Sequence, residues 1–293
     1  MDWKAFKDIK TADELAVYMK ERAFMHRKYY HYTSADIVNS ILGQNEFWLS
    51  CVSKFNDKND SNQFTPQKEY YALCFSTGAS ENLPLWYLYS GIDGKGARLA
   101  LNSSHVRALI ENGRYNLYEL DDENKRGDHV LELKEGKNMS LTVEDVIYRS
   151  YSQKRGKAFL SYNTLFNKIM LQSEMEKYEE KHRGFQKNPI WYYERETRLL
   201  VKLEESAKKL INSNCSKERK YVVICKFDKN LQKEFAVTFA PDVKEDQLSS
   251  VIKEYPFIKS FNDVTSRVSA SRYAGEIDMG LVEKKIHKSR TEN

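Results

Sequence analysis

The order of its elements constrains this chain more than any other feature. Short β-prone runs and helical stripes follow one another without the regular strand-helix-strand alternation of a parallel, doubly wound sheet. An α+β fold with a mainly antiparallel sheet and flanking helices is therefore expected. Thr11-Ala12-Asp13-Glu14 has the spacing of a capping box, and Leu15, Tyr18, Met19 and Arg22 follow at helical intervals, which predicts a first helix to about Lys28. Residues 28–33 are β-prone. Ser34 then caps a helix whose stripe is Ile37, Val38, Ile41 and Leu42, with Gly43 as its stop. Further strands are expected over 47–52, 70–76, 97–101, 115–120, 143–151, 193–202, 221–227 and 235–239, and helices over 104–112, 157–181 and 247–254. The polar stretch 121–127 interrupts the pattern. With no internal repeat and no Pro-rich or Gly/Ser-rich linker, the reading is one domain over 1–283, with a helical insertion at 155–188 and a basic flexible tail at 284–293.

Composition sets outer bounds. With 41% hydrophobic and 30% charged residues and a net charge of +5, the chain is ordinary for a globular protein, so disorder is excluded as its dominant state. No run approaches the roughly 20 apolar residues of a membrane span, and Met1-Asp2-Trp3-Lys4 lacks a leader's apolar core. A cytoplasmic protein without a membrane partner is expected. Cys51, Cys74, Cys215 and Cys225 form no Cys-x-x-Cys pair, and the histidines have no metal-ligand spacing, so neither a disulfide scaffold nor a metal site is expected. Gly91-Ile92-Asp93-Gly94-Lys95-Gly96 precedes a strand and so lacks the strand-loop-helix order of a phosphate loop. The outlier is aromatic: 19 Tyr and 4 Trp stand beside only 5 Pro and 12 Gly.

Three constellations carry chemistry. In Trp191-Tyr192-Tyr193-Glu194-Arg195-Glu196-Thr197-Arg198-Leu199, a strand's period of two places Glu194, Glu196 and Arg198 on one face. Two carboxylates so close raise at least one carboxyl pKa unless a cation compensates. The plain alternative is a solvated salt-bridge ladder on an exposed strand. Tyr30-His31-Tyr32-Thr33-Ser34 joins a strand to a helix start, bringing a histidine, hydroxyls and amides that suit a ribose or phosphate; equally, His31 is a satisfied half-buried residue and Ser34 a cap. Trp86 and Tyr89, three apart, share a face of a short helix beside Cys74-Phe75-Ser76, fit to stack on a planar heterocycle or to pack a core.

Taken in order, these motifs with Phe47-Trp48-Leu49-Ser50, Phe55-Asn56-Asp57 and Leu85-Trp86-x-x-Tyr89 resemble a large bacterial family catalogued as a domain of unknown function, over roughly residues 29–265. Two departures are visible: Lys58 stands where members usually have Pro, and His31 where they often have Lys or Arg. That family is similar, more distantly, to ADP-ribosyltransferase-like proteins, including DNA-modifying toxins of toxin and antitoxin systems. The resemblance implies a split antiparallel sheet gripping NAD as substrate, no metal, and a macromolecular acceptor, protein or nucleic acid, in a toxin or phage-defence setting. It implies Glu196 as catalytic acid with Glu194 completing a Glu-x-Glu pair, and His31, Tyr32, Thr33, Ser76, Trp86, Tyr89 and Arg198 as the residues that bind NAD. A fixed carboxylate beside the ribose suits the positive charge that develops as the nicotinamide bond breaks. Two other readings remain. One is a non-catalytic sensor or partner-binding module of the same fold, with Glu194, Glu196 and Arg198 as a structural ion network. The other is a metal-dependent nuclease, which requires Asp57 and Asp60 to meet Glu196 in space.

Overall fold

In the computed structural model, residues 9–57, 60, 64, 66–78, 81–89, 95–152, 157–160, 169–182, 184–212 and 219–276 are described. The basic tail and the glycine run at 91–94 fall outside them. The fold is α+β. Most strand pairings among the described residues are antiparallel; short parallel contacts join Ala236–Phe239 to Val268–Ser269 and Gln186–Lys187 to Ile147–Ser152. Among the described residues no helix is long and apolar enough to cross a membrane.

The chain forms two compact units, each built from three separate segments: Met1–His26, Phe47–Cys74 and Leu109–Lys226 in the first, Arg27–Glu46, Phe75–Ala108 and Phe227–Asn293 in the second. Strand Glu196–Leu203 of the first unit pairs with Met139–Asp145 and with the strand that starts at Tyr70. Lys220–Lys226 pairs with Arg114–Leu120, and that strand with Arg126–Leu133. Its core holds Val52, Phe64, Tyr70, Phe185 and Leu200, with a second cluster of Leu15, Met19, Ile147 and Tyr178 beneath helix Ala12–Arg22. In the second unit, Tyr29–Ser34 pairs with Gly96–Leu101, which pairs with Ala236–Phe239. Helices Ala35–Gln44 and Pro256–Thr265 belong to this unit, and Val38, Leu99, Val237, Phe239 and Ile258 are buried in it.

Local chemistry explains several boundaries. Thr11 and Glu14 form the expected reciprocal capping box, but the first helix ends at Arg22 rather than near Lys28. Ser34 caps the second helix as expected. That helix passes through Gly43 and stops at Asn45, which takes the left-handed conformation with φ 55°. Gly43 is needed inside it because a Cβ there would lie 2.5 Å from the Phe257 ring. Two expectations fail outright. Residues 157–181 are not one helix: Lys157–Leu160 and Ile169–Leu171 are paired strands, and only Gln172–Lys181 is helical. Phe159, Leu160, Ile169 and Met170 fit a helical stripe and short apolar strands equally well. The expected strand from Tyr193 begins instead at Glu196, because Pro189–Glu194 winds as a 3-10 helix after its Asn188 cap, and Arg195 turns the chain with φ 45°.

Candidate active site

That turn changes how the two glutamates meet. Glu194 ends the 3-10 helix and Glu196 opens the strand, so they do not share a strand face with a period of two. They converge nonetheless, on the ammonium of Lys187. Its Nζ lies 2.5 Å from Glu194 Oε2, 2.9 Å from Glu196 Oε2 and 3.5 Å from Asp60 Oδ2. Arg198 completes the group. Its Nε donates to Glu196 Oε1 at 2.7 Å and its Nη2 to Glu196 Oε2 at 3.0 Å, while Nη1 and Nη2 grip the two Asp60 oxygens at 3.1 and 2.8 Å. Nη1 also donates to the Gly184 carbonyl, and the Phe55 ring lies 4.8 Å from the guanidinium carbon. The backbone amide of Glu196 donates to the Tyr148 hydroxyl at 3.0 Å.

None of this is surface chemistry. Arg198 is 0% exposed, Glu196 4% and Glu194 5%, so the exposed salt-bridge ladder is excluded. Five ionisable groups stripped of water must nearly balance their charge, because an uncompensated buried ion is very costly. Asp60 and Glu196 match Lys187 and Arg198, leaving Glu194 as the odd charge. Its proton affinity follows from that count: burial outweighs the pull of Lys187, the neighbouring Glu196 adds to it, and the carboxyl is pushed up to about 7. For Glu196, burial opposes ionisation, but Arg198 and then Lys187 prevail and hold the carboxyl well below its usual range. Burial, and secondarily Glu196, pushes the Cys74 thiol well up, and burial does the same to Tyr148. Two adjacent carboxylates with opposed proton affinities are a recurring arrangement for acid and base work.

The second unit holds the other candidates, and the strand that carries His31 and Tyr32 separates those two. Alternate residues face opposite ways. Tyr32 turns toward Trp86, with ring centroids 4.8 Å apart, and its hydroxyl accepts from Arg98 Nη1 at 3.1 Å and from the Asn82 amide at 3.0 Å. His31 instead meets Phe75 edge-on at 6.2 Å. Thr33 and Ser76 are buried. Trp86 is fully buried and donates its indole N–H to Glu81 at 3.1 Å, whereas Tyr89 is 38% exposed, so the pair does not offer one stacking face. Arg98 lies over the Tyr30 ring at 4.4 Å and faces Glu81 at 3.6 Å.

Sequence reasoning missed Lys187, Arg98, Glu81 and Tyr148. Nothing local marks Lys187, whose partner Asp60 is far away in the chain. The nuclease reading required the acids around Asp57 and Asp60 to meet Glu196; Asp60 instead shares Arg198 and Lys187 with Glu196. Among the described residues no cluster of His, Cys, Asp and Glu is arranged to hold a metal ion.

No protein-family model matches the chain, and no curated protein matches it. The motif resemblance therefore stands on its residues alone. Among solved structures, the chain is similar to the DarT of Thermus sp. 2.9 in complex with carba-NAD+, with 11% sequence identity and a TM-score of 0.32, over 85% of this chain and 97% of that one.

Proposed function

We propose that the protein is an ADP-ribosyltransferase-like enzyme that cleaves the nicotinamide–ribose bond of NAD and passes ADP-ribose to a macromolecular acceptor. The observation that supports this reading is the buried pair Glu194 and Glu196, two carboxylates sharing one ammonium with their proton affinities driven apart. In the proposed step the bond between ribose C1′ and the nicotinamide nitrogen breaks, and its electron pair leaves with the nicotinamide. The ionised Glu196 opposes the positive charge growing on the ribose. The acceptor's nucleophile bonds to C1′, and its proton passes to Glu194 in that residue's ionised form. Arg198 positions Glu196 rather than meeting NAD, and NAD-binding roles for His31, Tyr32, Thr33, Ser76, Trp86 and Tyr89 are proposed from the motif resemblance alone. The toxin or phage-defence setting is proposed from the resemblance alone.

The test is nicotinamide release from NAD by purified protein. Glu196→Gln should slow it by about 10² to 10³, the cost of one lost preorganised electrostatic contact. Release that survives the substitution unchanged overturns the assignment. One observation favours the non-catalytic module instead: both oxygens of Glu196 are already bonded to Arg198 or Lys187. On that reading calorimetry finds a nucleotide bound without turnover, and Glu196→Gln alters only stability.

A further inference from the structure

Glu194 and Glu196 are chemically identical side chains two residues apart, and the structure treats them unequally. Glu196 is hydrogen-bonded by both cations of the cluster, twice by Arg198 and once by Lys187. Glu194 accepts from Lys187. Arg198 presents a rigid planar fork committed to Glu196, Asp60 and the Gly184 carbonyl. Lys187 is different in kind. Its ammonium is a compact charge with three rotatable donors, and three carboxylates, Asp60 and the neighbouring pair Glu194 and Glu196, surround it.

We propose that Lys187 is the positioning residue of this site: its one ammonium, held between Glu194 and Glu196, sets the pH at which Glu194 gives up its proton. The inference rests on the transferase reading for its catalytic meaning, though not for its physical content. Lys187 is well placed for the task. It lies on the short strand Gln186–Lys187, which pairs residue by residue with Ile147 and Tyr148, so its backbone is held by a strand that does not carry the glutamates. Its side chain is 8% exposed and runs beside the Trp191 ring, whose centroid is 5.5 Å from Nζ. The titratable groups around the pair are Asp60, Arg198, Cys74, Tyr148 and Tyr193. Arg198 keeps its charge throughout, and burial pushes the Tyr148 hydroxyl and Cys74 thiol well above their ordinary values and the Tyr193 hydroxyl up to about 12. Lys187 is held protonated by Glu196 and Glu194 against the cost of its burial. Around neutral pH, the proton that moves in this cluster is therefore the one on Glu194, beside the fixed charge of Lys187.

Removing that ammonium leaves Glu196 with Arg198 and strips Glu194 of the cation that bonds it. Glu194 should then hold its proton to higher pH. The experiment follows the glutamate side-chain carboxyls by carbon NMR across a pH series in the unaltered protein and in Lys187→Met, with Glu194→Gln to assign the resonance. The expected result is a Glu194 midpoint raised by about one to three pH units in Lys187→Met, the range for losing an adjacent opposite charge. A midpoint left in place overturns the proposal. If Lys187→Met does not fold, the unaltered protein still decides. The side-chain nitrogen resonance of Lys187 should shift with the same midpoint as the Glu194 carboxyl, and a Lys187 resonance that stays flat while Glu194 titrates refutes the proposal. Nicotinamide release is measured separately. Its absence from the unaltered protein defeats the transferase reading and leaves the titration standing, whereas in an active protein the pH profile of release should move with the Glu194 midpoint in Lys187→Met.

Discussion

Replacing Glu194 by glutamine should stabilise the protein at alkaline pH and change little at acid pH. The carboxyl is raised from 4.5 to about 7 on folding. Between those values the folded protein keeps a proton that the unfolded chain has already released. The contribution of the neutral, buried Glu194 is therefore complete below about pH 4.5, and it is lost as the pH rises through about 7. At 1.36 kcal/mol per pH unit, the loss is about 3 kcal/mol, and with a side chain only 6% exposed it needs no discount for solvent screening. Glutamine keeps an oxygen for Lys187 and has no proton to lose. Glu196, whose lowered carboxyl loses its contribution as the pH falls, is present in both proteins and cancels in the difference. Amide hydrogen exchange of strand Glu196–Leu203, measured for both proteins from about pH 5 to about pH 8, reads the local stability where it matters. The Glu194→Gln protein should gain on the unaltered one by about 3 kcal/mol over that range. Parallel curves refute the reasoning, because they mean that Glu194 is ionised throughout and the cluster carries a net charge.

Two further outcomes concern the same cluster. Arg198→Met takes from Asp60 and Glu196 the guanidinium that bonds both and should cost about 3 to 5 kcal/mol in chemical denaturation, the usual range for breaking a buried ion pair from one side. Gly184→Ala should cost about 1 to 3 kcal/mol by overpacking, because its Cβ would stand 2.1 Å from Phe64 Cζ at a residue with φ 87°. It should also loosen Arg198, which bonds the Gly184 carbonyl.

The sequence revealed the elements with strong local grammar. Ile37 is exposed, but the Thr11 capping box, the Ser34 cap and the other three of the four stripe residues after it, Val38, Ile41 and Leu42, stand where expected. So does the strand Tyr70–Ser76, whose β-prone residues are buried on both faces. Strand Arg126–Leu133 was invisible because most of its residues are exposed and polar, leaving no apolar alternation to read. Helix Pro256–Thr265 was missed although Pro256 occupies a favoured first-turn position. For the candidate site, the motif around Glu194, Glu196 and Arg198 was legible, and its geometry was not. The sequence suggested a continuous strand, whereas Asn188, Pro189 and the left-handed Arg195 impose a turn. Its partners escaped for a different reason. Asp60 lies 138 residues from Arg198, and no local pattern reports a pairing made only when the sheet closes. The His31 and Tyr32 pair shows the converse, since adjacency in sequence placed them on opposite faces of one strand.

The interleaving of segments in the two units has a consequence for synthesis. Arg27–Glu46 leaves the ribosome early, yet its unit also needs Phe75–Ala108 and the segment that begins at Phe227, with strand Ala236–Phe239 and helix Pro256–Thr265. At the usual pace of translation the wait between the first and last of those segments is roughly 10 to 40 s. During that time Val38, Ile41 and Leu42, buried in the finished protein, have only part of their core to pack against. The first unit waits in the same way for Lys220–Lys226. A nascent chain of this kind should depend on chaperones that shield apolar segments until the closing strands arrive, and pausing translation upstream of Phe227 should prolong that dependence.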